Sequence, residues 1–292
     1  MKEIVIVSGK GGTGKTSFVA AFARLAGRRI VVGDCDVDAA NLALLLPGDD
    51  VLEEPFFAAK TARISSERCS SCGECIGVCR FNALTLGPDN IPRVDPYGCE
   101  GCRACSVVCP EDAFDYVPKQ SGNLYVRESP VGPLVHASLG VAQDNSGKLV
   151  TRVRQRARKI AEAEGIDTIL LDGPPGIGCP VHASLGGASL VVAVTEPTPS
   201  GVHDLERLLK LCAHFQLKTA LVVNKSDLGE ALTSELRSVV EQNDGVYLGG
   251  VPFHRGVPIA LARGQSPLEV AEVYGLLADI WEKIDLFESF QQ

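Results

Sequence analysis

A chain of 292 residues, 45% of them hydrophobic, is long enough for one large domain and one small one around a substantial buried core. Its 28 basic and 36 acidic residues leave a formal charge of −8, which argues against a general nucleic-acid binder. No apolar run approaches the ~20 residues needed to span a bilayer, and the chain enters its first apolar run with no basic leader, so the expectation is a cytoplasmic protein with no membrane partner.

In chain order, the Val- and Ile-rich run at residues 4–7 predicts a strand buried on both faces, and residues 17–26 predict a helix. Between them lies Gly9-Lys10-Gly11-Gly12-Thr13-Gly14-Lys15-Thr16-Ser17, a glycine-rich turn in the strand-to-helix setting of a phosphate-binding loop. Its backbone N–H groups and the helix N-terminus suit phosphate oxygens. Lys15 reaches the β and γ phosphates, and Thr16 is a ligand for Mg²⁺. A second strand, 30–32, leads into Asp34-Cys35-Asp36-Val37-Asp38, where capping of the following turn explains one aspartate more easily than three.

From residue 61 to 118 helical periodicity stops, and a cysteine pattern repeats thirty residues apart: Cys69-x2-Cys72-x2-Cys75-x3-Cys79 and Cys99-x2-Cys102-x2-Cys105-x3-Cys109. Structural zinc sites assemble from two separated pairs. Three cysteines at successive x2 spacing instead suit one tight loop gripping a cubane, with the fourth reaching the other cluster. The expectation is two 4Fe-4S clusters with crossed ligands, one on Cys69, Cys72, Cys75 and Cys109 and the other on Cys99, Cys102, Cys105 and Cys79. Pro110 follows the last cysteine as in bacterial two-cluster ferredoxins, while Arg80 stands at that place in the first copy. Ala83, Leu84 and Leu86 correspond to Ala113, Phe114 and Tyr116, so each half is expected to cover a cluster with similar side chains.

Residues 150–164 predict a helix opened by Asn145 as cap, with Arg152, Arg154, Arg156, Arg158 and Lys159 read as a solvated face. Strands at 169–171, 190–194 and 220–223 alternate with helices at 201–215, 230–242 and 268–284. The frame is an open doubly wound, mostly parallel α/β fold: residues 1–60 and 119–292 form a discontinuous phosphate-loop domain, and 61–118 an inserted, ferredoxin-like α+β domain. Glu196-Pro197-Thr198-Pro199-Ser200 lies at a ligand-binding strand end, where shaping the nucleotide edge and a structural turn both remain open. His136, His182 and His203 are given no role, and core packing is the default for Cys212.

Lys10, just after the first glycine of the loop, is the mark by which the chain resembles the MinD and ParA superfamily of deviant phosphate-loop ATPases, relatives of the nitrogenase iron protein and of iron–sulfur carrier ATPases. The resemblance covers nearly the whole chain. It implies an ATP-sandwiched homodimer, with Lys10 reaching the nucleotide of the facing subunit. Residues 34–42 are similar to the family's first switch, implying that Asp36 positions the attacking water and Asp38 lies near the metal. Asp172-Gly173-Pro174-Pro175-Gly176 is similar to the second switch, with Asp172 the outer-shell partner of Mg²⁺ and Gly176 near the γ phosphate. Asn224 of Asn224-Lys225-Ser226-Asp227 falls where the family contacts the base, Asp227 being a cap at the next turn, and ATP is favoured by family. Cys179, seven residues after Asp172, matches a cluster-ligating cysteine of the nitrogenase iron protein, so a metal role and burial as a small apolar side chain both stand.

Together these residues suggest a slow ATPase coupling dimer closure to electron transfer, or to iron–sulfur or metal-centre assembly, on a redox or metalloprotein partner. The alternative is a positioning ATPase with structural or redox-sensing clusters. Its membrane form calls for a basic amphipathic C-terminal helix, whereas residues 269–288 are acidic.

Overall fold

The computed structural model describes residues 1–140 and 146–287. Val- and Ile-rich runs form the centre of a nine-stranded sheet in the order β11-β10-β9-β1-β8-β2-β7-β6-β3. Its strands are β1 (Lys2–Ser8), β2 (Ile30–Asp34), β3 (Asp49–Ile64), β6 (Phe114–Ser129), β7 (Gly132–Leu139), β8 (Thr168–Pro175), β9 (Leu190–Thr195), β10 (Thr219–Asn224) and β11 (Val246–Val251). A separate antiparallel pair joins β4 (Leu84–Leu86) to β5 (Pro92–Val94). The helices are α1 (Lys15–Ala26), α2 (Leu42–Leu45), α3 (Glu74–Gly77), α4 (Ala104–Val108), α5 (Ser146–Glu164), α6 (Cys179–Leu185), α7 (Pro199–His214), α8 (Glu230–Gln242), α9 (Gly256–Ala262) and α10 (Ala271–Asp285).

The pairs β1–β8, β1–β9, β9–β10, β10–β11, β2–β8 and β2–β7 are parallel, so the α/β expectation holds. Ile4, Ile6, Val192 and Val222 are fully buried, as strands covered on both faces require. Phe22 of α1 stacks on Trp281 of α10, centroids 5.6 Å apart, closing one face of this core. No helix among the described residues is long and apolar enough to cross a membrane.

The chain divides into two compact units, Met1–Glu53 with Leu124–Ser138 and Ser146 onward, and Glu54–Asn123 with Leu139. Strands β3 and β6, 16 residues each, are not legible in the sequence because β3 is a polar edge strand of alternating exposure that carries Pro55. Gly249 and Gly250 hide β11 in the same way. The last predicted helix starts later, at Ala271, because Pro267–Glu269 forms a separate turn whose Leu268 N–H donates to Ser266 Oγ.

The arginines of α5 are not simply a solvated face. Arg154 is buried and its Nη2 lies 2.5 Å from Glu3 Oε2 on β1, Arg158 pairs with the same carboxylate, and Arg154 Nη1 donates to Ala183 O of α6 at 2.8 Å. A buried carboxylate needs such partners, and a β1 residue supplies a charge that helix periodicity cannot anticipate. Asn145, expected as the cap, lies outside the described residues, as does Glu288 of the acidic tail.

Candidate functional site

The register of β2 and β8 sets Asp34 beside Asp172, and β1 ends in the glycine-rich turn next to them. Lys15, the first residue of α1, places Nζ 2.7 Å from Asp172 Oδ1, 3.4 Å from Asp36 Oδ2 and 3.5 Å from Thr16 Oγ1. Both partners of the first pair are buried, Lys15 at 6% and Asp172 at 1% exposure. Burial opposes charge on the Lys15 ammonium, but Asp172, then Asp36 and Asp34, outweigh it and raise its pKa. Burial also raises Asp36, against the pull of Lys15, and burial followed by the charge of Asp172 pushes Asp34 well above the usual carboxylate range. Asp34 is the capping aspartate: it accepts from Asp36 N at 3.1 Å and Leu42 N at 3.2 Å, leaving Asp36 for Lys15.

Gly11 through Ser17, Asp36, Asp38 and Asn224 line a cavity of about 750 Å³ at the N-terminus of α1. The α1 cap position is glycine, so no side chain caps the first N–H groups, which suits an incoming anion. Asp172 Oδ2 and Thr13 Oγ1 are buried with no hydrogen-bond partner among the described residues, polar capacity that a hydrated cation and a phosphate oxygen would satisfy. Gly9, Lys10, Asp172 and Gly176 stand outside the cavity lining. Gly9 packs on Asp204, Gly176 adopts φ +88° and donates its N–H to Ser8 O at 2.8 Å, and Asp172 sits behind Lys15. Lys10 Nζ donates to Thr198 Oγ1 at 3.3 Å and Ser200 Oγ at 3.1 Å. Thr198 also caps α7 through Gly201 N, and Glu196 takes Lys225 Nζ at 2.6 Å, so the 196–200 segment is built as a turn that holds two lysines.

Asn224 Nδ2 donates to Thr13 O at 2.8 Å, and Gly14, at φ +94°, passes beneath it so closely that an added Cβ would lie 2.5 Å from Nδ2. Gly14→Ala therefore combines a left-handed alanine, about 1–2 kcal/mol, with loss of this bond. Mg–ADP affinity should fall about tenfold or more by calorimetry, and unchanged binding would remove Asn224 and Gly14 from the site. Asp227 is not a cap: its Oδ1 accepts from Phe253 N at 2.6 Å, securing the Pro252–His254 segment that forms the cavity's apolar side with Val257. That side, supplied by the connection from β11 to α9, by α9 and by Val273 and Leu277 of α10, carries no local motif by which a sequence could mark it.

The second unit contains the cysteine repeat, and the repeat is present in the backbone. Left-handed φ values recur thirty residues apart at Ser71 and Gly101 (both 61°), Gly73 and Arg103 (73° and 70°), and Asn82 and Asp112 (51° and 45°). Helices α3 and α4 occupy matching places. Cys69, Cys72, Cys75 and Cys109 line one cavity, and Cys79, Cys99, Cys102 and Cys105 line another. Backbone N–H groups point at the sulfurs: Ser71 N to Cys69, Ala113 N to Cys109 and Ala62 N to Cys99, each at 3.4 Å. Such donors suit thiolates, whose charge they stabilise. Among the described residues no three His, Cys, Asp or Glu side chains assemble around a single-ion site. The apolar cluster is small, centred on Ala62, Cys75, Leu84 and Phe114. Ala83, Leu84, Ala113 and Phe114 are buried as the repeat predicts, but Leu86 is 55% exposed and lines neither cysteine cavity, unlike its counterpart Tyr116.

Cys179 opens α6 and is exposed, so packing as a buried apolar residue is ruled out, whereas Cys35 and Cys212 are buried. Burial pushes the Cys212 thiol up to about 12, consistent with an inert core residue. His136 does have a partner: Nε2 lies 3.0 Å from Asp50 Oδ1, and Arg127 grips the same carboxylate at 2.8 and 3.0 Å. Those contacts, with Arg127 first, hold Asp50 at about 2.

The family model of the CobQ/CobB/MinD/ParA nucleotide binding domain matches residues 4–268. The protein MJ0578 of Methanocaldococcus jannaschii is 35% identical over 229 residues, 77% of this chain and 79% of its own. A 51-residue stretch, 18% of this chain, is 39% identical to 15% of one component of the Na(+)-translocating ferredoxin:NAD(+) oxidoreductase complex of Acetobacterium woodii. Among solved structures, the septum site-determining protein MinD complexed with Mg-ADP from Pyrococcus horikoshii superposes with a TM-score of 0.60 at 18% identity, covering 100% of this chain and 98% of its own. At that identity the likeness is one of fold.

Proposed function

Because this chain belongs to the CobQ/CobB/MinD/ParA nucleotide-binding family, we propose that it is an ATP-hydrolysing iron–sulfur protein in which nucleotide-dependent closure of a homodimer drives electron transfer to a partner metalloprotein, or iron–sulfur or metal-centre assembly on it. The observation that carries this reading is the separation of eight cysteines into two cavities, four to each, in a chain whose loop lysine is clamped between Asp172 and Asp36.

In the nucleotide site, the N–H groups of Gly11 to Thr16 and the N-terminus of α1 receive the phosphates, and Lys15 leaves Asp172 to meet the β and γ oxygens. Thr16 and the unpartnered Asp172 Oδ2 are the groups that would hold Mg²⁺, one by its hydroxyl and the other through water. Asp36 orients the attacking water, which forms a bond to the γ phosphorus as the bond to the β-phosphate oxygen breaks and ADP leaves. Lys10 exchanges Thr198 and Ser200 for the nucleotide of the facing subunit, Gly176 senses the γ phosphate, and Asn224 with the Pro252–His254 segment receives adenine. Cys69, Cys72, Cys75 and Cys109 would hold one 4Fe-4S cluster and Cys79, Cys99, Cys102 and Cys105 the other, within an inserted domain over residues 61–118. Bound clusters would supply one-electron chemistry. The exposed thiol of Cys179 is the third place where a metal species could be taken up.

Coupling is reciprocal: if nucleotide changes the ease of reducing the clusters, reduction changes nucleotide affinity by the same factor. ATP-analogue affinity should therefore differ about 5–150-fold between oxidised and dithionite-reduced protein. Equal affinities would leave a nucleotide-dependent carrier or scaffold and end the coupled reading.

A further inference from the structure

We propose that Tyr116 makes the two cluster sites unequal, so that a single electron added to the protein rests at the site of Cys79, Cys99, Cys102 and Cys105. This rests on the cluster reading given under the proposed function. The backbone treats the two halves alike, with matched left-handed residues at 71 and 101, 73 and 103, and 82 and 112. Backbone N–H donors to sulfur are also shared out: Ser71 and Ala113 serve the Cys69 and Cys109 sulfurs of one site, Ala62 the Cys99 sulfur of the other, all at 3.4 Å. The symmetry is broken by side chains.

The Tyr116 hydroxyl lies 3.4 Å from Cys105 Sγ and 2.9 Å from Ser106 Oγ. An iron-bound thiolate accepts only, so Tyr116 donates to sulfur and Ser106 donates to the tyrosine oxygen, each bond polarising the next. The thirty-residue equivalents of Tyr116 and Ser106 are Leu86 and Ile76, which have no hydroxyl, and Leu86 is turned largely to solvent. Charge is mixed at this site, and Lys119 also favours negative charge on Cys99. Arg103 lies over the Tyr116 ring at 5.1 Å and lines this cavity where Gly73 lines the other, but Glu100 lines it too, opposite in sign, where the first half has Ser70. The Tyr116 hydroxyl is a side-chain donor to sulfur that the first half of the repeat lacks at the matching place. Reduction adds negative charge to the cluster sulfurs, so a donor aimed at one of them favours the reduced state and raises that site's potential. An electron moving between the sites oxidises the Cys69 site by one and reduces the Cys99 site by one, with no other reagent consumed.

The test is an anaerobic potentiometric titration with dithionite and mediators, followed by EPR, on wild type, Tyr116→Phe and Cys79→Ser. Wild type should carry two waves at least tenfold apart in preference for the first electron, about 59 mV for one electron. Tyr116→Phe should move the higher wave down toward an unmoved lower one with iron and sulfide content unchanged, and Cys79→Ser should delete that same higher wave. A higher wave that stays put in Tyr116→Phe, or iron loss with both waves altered, overturns the role of Tyr116 while the clusters stand. A wild-type protein with fewer than two clusters overturns the cluster reading itself.

Discussion

Lys15→Ala is expected to lower ATP hydrolysis by at least about 10²–10³-fold, the loss that follows removal of one preorganised transition-state donor, while leaving bound iron unchanged. The lysine has a second duty in the nucleotide-free protein. It is the cation within 2.7 Å of the nearly inaccessible Asp172 and 3.4 Å of Asp36, with Asp34 in register beside them. Breaking a buried pair by removing one partner costs about 3–5 kcal/mol, so the variant should also melt earlier, and Mg²⁺ with nucleotide should recover part of the loss by supplying the missing positive charge. Phosphate release, thermal melts and iron assays check the three parts. Retained hydrolysis would remove Lys15 from the chemistry, and loss of iron would tie the loop to folding of the cysteine unit instead.

The second large effect concerns the crossed quartets. Cys75 and Cys79 are four residues apart in one copy of the repeat, yet they line different cavities, and Cys109 from the other copy lines the cavity of Cys75. Cys75→Ser and Cys109→Ser should each remove about half the iron and the same EPR signal, whereas Cys79→Ser removes the other signal. Because the apolar cluster of this unit is centred on only four buried residues, one of them Cys75, loss of metal should also unfold it far more readily than the nucleotide unit, whose ADP affinity should be unchanged. If Cys75→Ser and Cys79→Ser deleted the same signal, each copy would bind its own cluster and the crossing would be wrong.

Where one local stretch specifies both backbone and chemistry, the sequence was enough. The loop from Gly9 to Ser17 announces its strand, turn and helix, and the central strands read directly as Val and Ile runs that are fully buried. The cysteine spacing likewise separates the quartets, because each tight loop carries its own three thiols. Long-range pairing was invisible. Glu3 is a lone carboxylate in an apolar strand until α5 brings Arg154 and Arg158 to it, and Asp227 looks like a cap until Phe253 arrives with its N–H. Edge strand β3 was obscured by its charges and proline, which protect an exposed edge but hide its period of two. The equivalence of Leu86 and Tyr116 failed for a related reason: position in a repeat fixes the backbone, while burial depends on what packs against it.

The central claim is that nucleotide state and cluster state are coupled. The most direct measurement is an anaerobic EPR redox titration of wild-type protein with no nucleotide, with Mg–ADP and with a non-hydrolysable ATP analogue. The account predicts that the ATP analogue shifts the midpoint potential of at least one cluster, by an amount equivalent to the roughly 5–150-fold change in nucleotide affinity on reduction. Three superimposable titrations would contradict it.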